Sequence, residues 1–470
     1  MQRQLKPVVG LGSVLVMMLV VLAVSLSAAN PVLAQGVPTP TPNDPIWRGF
    51  SAVRDAIEEA RSVDLTLVRS YDWEQSEWKG GIDDCVNLDD PTKYRPLYFG
   101  WTFTITSLRG DVFQGRISFD LKQIAVCDVI QTAGAPAPVA AGTLDPNLPT
   151  PVPGSAATGG FELGGHVLEM SLNTFGLMNR SGMKWVKKQI EYSLGDDPNK
   201  VANFINVAKS NGFKILLGIV GDQSQMGDFN AYINSYAQFL AGVAALGVDA
   251  IEVWNEPNID REWPVGQING GNYTKMLAAA YNAIKGRNPN VLVISGAPAP
   301  TGFFGAAGCT ANGCNDDAFM TQMAQAGAAQ YMDCVGLHYN EGIIAPSAGS
   351  GDPRGAYPTY YFSSMLNRGY QPFGGKPVCF TELGYLSPEG FNSPLPANFA
   401  WAQNTSVQEH SAWLAEAATL AAQSGKVRIM IIWNVDFPFY TDTDPMGGYA
   451  IFRPGGACPA CDTLGAVMRR

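Results

Sequence analysis

The sequence predicts an α/β protein, a (β/α)8 TIM barrel preceded by a small α+β domain. Three observations point there. Over residues 160–470, eight apolar strand-like runs alternate with helical patterns. Many of those helical patterns end in Gly, the usual left-handed cap before the chain turns into a strand. Eight strands with crossover helices over about three hundred residues is the barrel pattern. The alternative, a doubly wound open sheet, lacks a Gly-rich phosphate loop after its first strand.

From the N-terminus, residues 1–34 read as an export signal. Arg3 and Lys6 are basic, Val8 to Ala29 is apolar apart from Gly and Ser, and Val32-Leu33-Ala34 offers a cleavage site that leaves Gln35 first. The apolar stretch is long enough to span a bilayer, so an uncleaved anchor is the rival reading; with cleavage, no stable membrane insertion is expected. Residues 35–45 are a Pro/Thr linker. Residues 46–132 open with an amphipathic helix, SAVRDAIEEARSV, followed by strand runs LTLVRSYDW, YRPLYFGWTFTITSL and VFQGRISFDLKQIAV. This order suggests a helix against an antiparallel sheet. Its aromatics Trp73, Trp78, Tyr94, Tyr98 and Trp101 are either a sugar-binding face or ordinary packing, and no chemistry is evident in this domain. Residues 133–159 are a Pro/Ala-rich linker.

The barrel strands are expected in FELGGHVLEM, MKWVKKQI, FKILLGIVG, AIEVWNE, VLVISGA, CVGLHY, PVCFTELGY and VRIMIIWNV. Helices are expected in PNKVANFINVAKSNG, FNAYINSYAQFLAGVAALG, NYTKMLAAAYNAIKGRNP, DDAFMTQMAQAGAAQYM and SVQEHSAWLAEAATLAAQSG. The segment after the eighth strand is short, so the last helix must be compact and pinned by Cys458 and Cys461.

The chain of 470 residues suits two or three domains, and its 46% hydrophobic residues supply a sizeable core. A net charge of −10 without a Lys/Arg run argues against nucleic acid and an anionic membrane surface as partners. Eight cysteines in an exported chain suggest disulfides. Cys85 is expected to pair with Cys127, Cys309 with Cys314, and Cys458 with Cys461. Cys458-Pro-Ala-Cys461 reads as a redox motif, a zinc motif or a local disulfide, and three His with no second CxxC favour the local disulfide. Cys334 and Cys379 are either bonded across adjacent strands or buried as thiols.

Catalytic residues of such barrels sit at the C-terminal ends of strands. The fourth run ends Glu252-Val253-Trp254-Asn255-Glu256-Pro257-Asn258, the seventh Phe380-Thr381-Glu382-Leu383-Gly384-Tyr385. Glu256 and Glu382 therefore face one another across the barrel mouth. Two such carboxylates fit glycoside cleavage, with one as nucleophile if they stand about 5–5.5 Å apart.

Trp254-Asn255-Glu256-Pro257 resembles the Asn-Glu-Pro signature of clan A glycoside hydrolases, retaining (β/α)8 enzymes, with families 39 and 5 most similar. The resemblance covers the barrel alone. It implies Glu256 as acid/base, Glu382 as nucleophile and Asn255 as donor to the sugar 2-hydroxyl. His338 and Tyr339 at the sixth strand end match a His and Tyr of the clan, the Tyr near the nucleophile and donating to Glu382. Trp433 matches a Trp under the sugar ring, with Asp436 and Phe437 at the rim. Lys187, in Trp185-Val186-Lys187-Lys188, stands where family 5 has Arg and is expected among the substrate-binding residues with Asn255, His338, Tyr339, Trp433 and His166; Gly218-Ile219-Val220-Gly221 has no His at the third strand end. His166 binds sugar or caps the mouth, His410 is structural, and Trp185 and Trp263 line subsites or fill core. Glu252 pairs with a Lys inside the fold and is not catalytic.

The implied activity is an exported, secreted or cell-surface, retaining β-glycoside hydrolase acting on a polysaccharide or oligosaccharide, with no cofactor and no metal. Acid catalysis requires a raised Glu256 pKa, through burial and the charge of Glu382. A carbohydrate-binding or cell-surface scaffold on an inactive barrel is the alternative, and transglycosylation would use the same residues.

Overall fold

A computed structural model describes residues 45–65, 68–79, 97–107, 110–127, 148–155, 159–302, 304 and 308–469. The expected export signal and the 35–44 stretch lie outside the described residues, as do Cys85 and Tyr94. Helix α1 (Pro45–Arg61) packs on an antiparallel meander of β1 (Val68–Lys79), β2 (Leu97–Ser107), β3 (Val112–Ser118) and β4 (Ile124–Val126). Their shared core contains Phe50, Val53, Ile57, Trp101, Phe103, Ile105 and Ile117. Trp101 is thus packing, and Trp73 lies against the same core. Cys127, after β4, is disulfide-bonded. Residues 148–155 run along the barrel: Val152 N donates to Asn282 Oδ1 and Tyr331 OH donates to Pro149 O.

The barrel strands are β5 (Glu162–His166), β6 (Trp185–Tyr192), β7 (Lys214–Gly221), β8 (Ala250–Val253), β9 (Leu292–Ser295), β12 (Val335–Gly342), β13 (Val378–Tyr385) and β14 (Val427–Ile432). All neighbours pair in parallel, and a bridge from Ile294 to Cys334 closes β9 onto β12. A short ribbon, β10 (Cys309–Thr310) and β11 (Gly313–Cys314), lies between those two strands in sequence. Each barrel strand is followed by a helix: α2 (Leu172–Arg180), α3 (Ala202–Ser210), α4 (Phe229–Ala245), α5 (Gly270–Arg287), α6 (Asp316–Gln325), α7 (Phe362–Tyr370), α8 (Val407–Ser424) and α9 (Pro459–Met468).

The eight apolar runs each became one strand. Alternate side chains point to opposite faces of a strand, so Val186, Ile215, Leu217, Ile251, Val253, Leu337 and Phe380 face the helices. Trp185, Leu216, Ala250, Ile294, Cys334, Cys379 and Ile431 fill the barrel's interior. Ser406 and Glu409 form a capping box at the start of α8, and Gly425 ends it at φ 64°, a left-handed conformation that suits Gly. Helices α2 and α7 had no counterpart among the expected helices; each is nine residues long. Disulfides join Cys309 to Cys314, Cys334 to Cys379 and Cys458 to Cys461. The last spans the start of compact α9, and Cys334–Cys379 lies wholly inside the barrel. Among the described residues no helix is long and apolar enough to cross a membrane.

Candidate active site

Interior side chains near the C-terminal ends of the strands converge on one buried cluster. On β6, Lys187 shares the inward face with Trp185. On β8, Glu252 shares it with Ala250. Lys187 Nζ lies 2.8 Å from Glu252 Oε2 and 3.6 Å from Glu382 Oε1, with all three side chains almost wholly buried. Gly218 on β7 makes room for this pair, because a Cβ there would lie 3.2 Å from Glu252 Oε2 and 3.4 Å from Lys187 Cε. Burial works against the charge on Lys187, but Glu252 and Glu382 outweigh it and hold its pKa above the usual value. Glu252 is the partner of a buried Lys, as its strand position suggested.

Glu382 reaches the interior through a bulge. Register runs Gly336↔Cys379 and Leu337↔Phe380, then His338↔Glu382, so Thr381 is the extra residue. A bulge re-aims the side chains beyond it. Without it, strict alternation would turn Glu382 away from Cys379's face. Asn340 Nδ2 donates to Glu382 Oε2 at 3.2 Å.

Glu256 is held differently. Strand β8 stops at Val253, and both Trp254 (φ 77°) and Glu256 (φ 43°) have left-handed backbones. Such conformations cost about 1–3 kcal/mol each in residues other than Gly. Burying the Trp254 indole among Tyr232, Tyr236 and Trp263 offsets this. Asn258 then ties the loop down, donating from Nδ2 to Ala299 O and Cys314 O and accepting from Ala299 N. The disulfide ribbon continues the anchoring: Cys314 N donates to Asn258 O, Asp260 N to Asn312 O and Gly266 N to Ala311 O.

His338 Nδ1 lies 3.2 Å from Glu256 Oε1 and 3.8 Å from Glu382 Oε2, so one imidazole reaches both carboxylates. Burial disfavours its cation, but Glu382 and Glu256 together raise its pKa. Arg261 Nη2 contacts Glu256 Oε2. Burial pushes Glu256 upward, yet Arg261, His338 and Lys187 prevail and hold it below the usual carboxylate range. This reverses the expected raised pKa, and the reason is Arg261, which the sequence reading passed over. The signal was present: Asp260-Arg261-Glu262 puts three charged residues straight after Asn-Glu-Pro-Asn-Ile.

Tyr339 differs from expectation too. It alternates with His338 and Asn340, faces the helices, and its OH donates to Tyr360 O at 3.0 Å. Asn340 takes the place at Glu382 assigned to Tyr339; a period-two reading from His338 would have found it. Tyr449 OH donates to Asn340 O and so steadies that residue. Asn255 is buried beside Glu256, with no partner for its Oδ1. His166, on β5, packs edge-on against Trp433 at 4.8 Å and Phe437 at 5.5 Å. Burial, then Lys187 and Lys188, depress its pKa well below the ordinary value. The Trp433–Asn434 peptide is cis. Phe437 also lines a cavity of about 520 Å³ with Glu169, Ser171, Asn173 and Asp436. Lys188, the other Lys on β6, points away and donates to Val167 O and Leu168 O. His410 is wholly buried, with Nε2 3.2 Å from Tyr449 O. Among the described residues no group of three or more His, Cys, Asp or Glu is arranged to hold a metal ion.

Two carboxylates, a shared imidazole and a buried cation can exchange a proton and stabilise a cationic centre between the carboxylates. No known protein family matches the chain, and no curated protein matches it. Solved structures similar to it include an endo-1,4-β-mannanase from Rhizomucor miehei (13% identity, 68% of this chain and 98% of that one, TM-score 0.44). Another is an endo-β-1,4-glucanase from Xanthomonas axonopodis pv. citri (13%, 66% and 99%, TM-score 0.43). A third is a broad-specificity endoglucanase from Clostridium acetobutylicum (16%, 63% and 89%, TM-score 0.42).

Proposed function

We propose that this protein is an exported retaining β-glycoside hydrolase that acts on a polysaccharide or oligosaccharide by double displacement. The observation that carries this reading is that one imidazole, His338, lies within reach of both Glu256 and Glu382. The sum of its two distances is an upper bound on the gap between the facing carboxylate oxygens. That bound is compatible with the spacing of about 5–5.5 Å at which the second carboxylate acts as nucleophile.

In the first step Glu382 attacks the anomeric carbon, and Glu256 gives its proton to the departing glycosidic oxygen. In the second, Glu256 takes a proton from water as the water oxygen bonds the anomeric carbon and frees Glu382. Asn255, with an unpartnered Oδ1 beside Glu256, is suited to the sugar's 2-hydroxyl. Trp433 and His166 offer an aromatic wall for the ring, with Lys187, His338 and Asn340 fixing the carboxylates. Tyr339 supports the strand from outside. Three disulfides among the described residues support an oxidising, exported setting.

The Arg261 contact favours a second reading, a carbohydrate-binding scaffold, because a salt-bridged Glu256 is a poor acid. Wild type, Glu256→Ala and Glu382→Ala assayed on aryl β-glycosides and polysaccharides separate the two. Hydrolysis with retained anomeric configuration, lowered about 10²–10⁴-fold by Glu256→Ala and abolished by Glu382→Ala, is expected. Saccharide binding without turnover would establish the scaffold instead, and full activity in Glu382→Ala would refute the nucleophile.

A further inference from the structure

The glycosidase reading leaves Arg261 without a part. Its guanidinium touches Glu256 Oε2 through Nη2, and its Nε lies 3.4 Å from Glu262 Oε1. The side chains of Arg261, Glu256 and Glu262 are 12%, 2% and 15% exposed, so water screens these contacts little. One cation thus lies between two carboxylates of the same loop.

Double displacement asks Glu256 to be protonated in the first step and ionised in the second. With Arg261 on it, the anion is favoured, which suits the second step and opposes the first. Resting on the glycosidase reading, we propose that Arg261 is a positioning residue shared by Glu256 and Glu262, and that its choice of partner selects acid or base behaviour at Glu256.

The loop backbone is pinned to the β10–β11 ribbon and to Ala299, so the exchange is a rotation of the Arg261 side chain over a fixed frame. Among the described residues, the charged groups around Glu256 include Arg261 and Glu262 from its own loop, Lys187 from β6 and His338 from β12, which also lies 3.8 Å from Glu382 of β13. Glu262 is suited to compete. Burial, reinforced by Glu256 and Glu382 and opposed by Arg261, lifts its pKa to about 7. Ionised, it draws Arg261 away from Glu256; protonated, it releases Arg261 back.

The test uses the full chain as wild type, Arg261→Ala, Arg261→Lys and Glu262→Gln. Two readouts are taken against pH: kcat/KM on an aryl β-glycoside, and the Glu256 carboxyl carbon by ¹³C NMR, assigned with Glu256→Gln. The alkaline limb of kcat/KM reports loss of the acid's proton. Without Arg261 the Glu256 anion loses its nearest cation, so limb and NMR midpoint rise by about one pH unit. Arg261→Lys restores most of that shift. In Glu262→Gln the competitor is gone, Arg261 stays on Glu256, and both readouts fall. Any result other than opposite shifts overturns the proposal, including a uniform loss of kcat/KM with unmoved midpoints, which marks a structural role only. If wild type hydrolyses nothing, the glycosidase reading fails by itself, while the NMR midpoints still report whether Arg261 is shared.

Discussion

The β13 end of the site and the β8 end hold their glutamates by opposite means. Glu382 is part of the sheet, turned inward by one extra residue and flanked by Asn340 and by the buried Lys187–Glu252 pair. Glu256 stands past the end of a four-residue strand, on left-handed backbone, in a loop held by Asn258 and a disulfide ribbon. A group fixed by a sheet shares the stability of the whole barrel. One fixed by a loop depends on a few local bonds and can be disturbed without unfolding the rest. In the proposed mechanism the nucleophile's carboxylate must stay put, whereas the acid/base must change its proton state twice, and the two kinds of support match those demands.

The largest effect should come from breaking the sheet-held end. Lys187→Met leaves Glu252 and Glu382 buried without their cation, and urea denaturation should show a loss of about 3–5 kcal/mol. Lys187→Met with Glu252→Leu should regain much of that stability but not the activity. If the single variant is as stable as wild type, the sheet-held end does not depend on this ion pair.

A smaller effect is expected at the loop-held end. Cys309→Ser with Cys314→Ser opens a ring of few residues, so the loss by the chain-entropy argument is only about 2 kcal/mol. The pH profile of kcat/KM should nevertheless change, because the ribbon carries the hydrogen bonds that seat the Glu256 loop. An unchanged profile would mean that Asn258 and Ala299 suffice.

The smallest effect distinguishes the two faces of β12. Tyr339→Phe removes one hydrogen bond to Tyr360 O, worth about 1 kcal/mol in thermal denaturation. It should leave the pH profile unmoved. A displaced acid limb would return Tyr339 to the role first expected of it at Glu382.

Much of this arrangement is legible in the sequence. Each of the eight apolar runs became a strand, because buried parallel strands must be apolar almost throughout. Glu256 and Glu382 stood out as charges closing such runs, and Glu252 as a charge too deep to act alone. What escaped the reading was set by geometry that composition does not encode. Nothing in Cys379-Phe380-Thr381-Glu382 announces a bulge, yet the bulge decides which way Glu382 points. Helices α2 and α7 are short, and their amphipathic pattern covers too few turns to stand out. The clan resemblance points to Tyr339, whereas period two from His338 points to Asn340. Arg261 lay in plain view, but its partner became visible only once the loop had folded back over Glu256.

The Cys334–Cys379 bond bears on how the molecule is made. Both residues are wholly buried among Trp185, Leu216, Ile294 and Ile429 in the barrel's interior. Thiol–disulfide exchange needs an attacking thiolate to reach a sulfur, and no such approach exists through a closed barrel. The bond is therefore expected to form before the strands close, and afterwards an external reductant reaches it only when the barrel opens. Its redox state then becomes a record of the compartment in which the chain folded, rather than of the one in which it works.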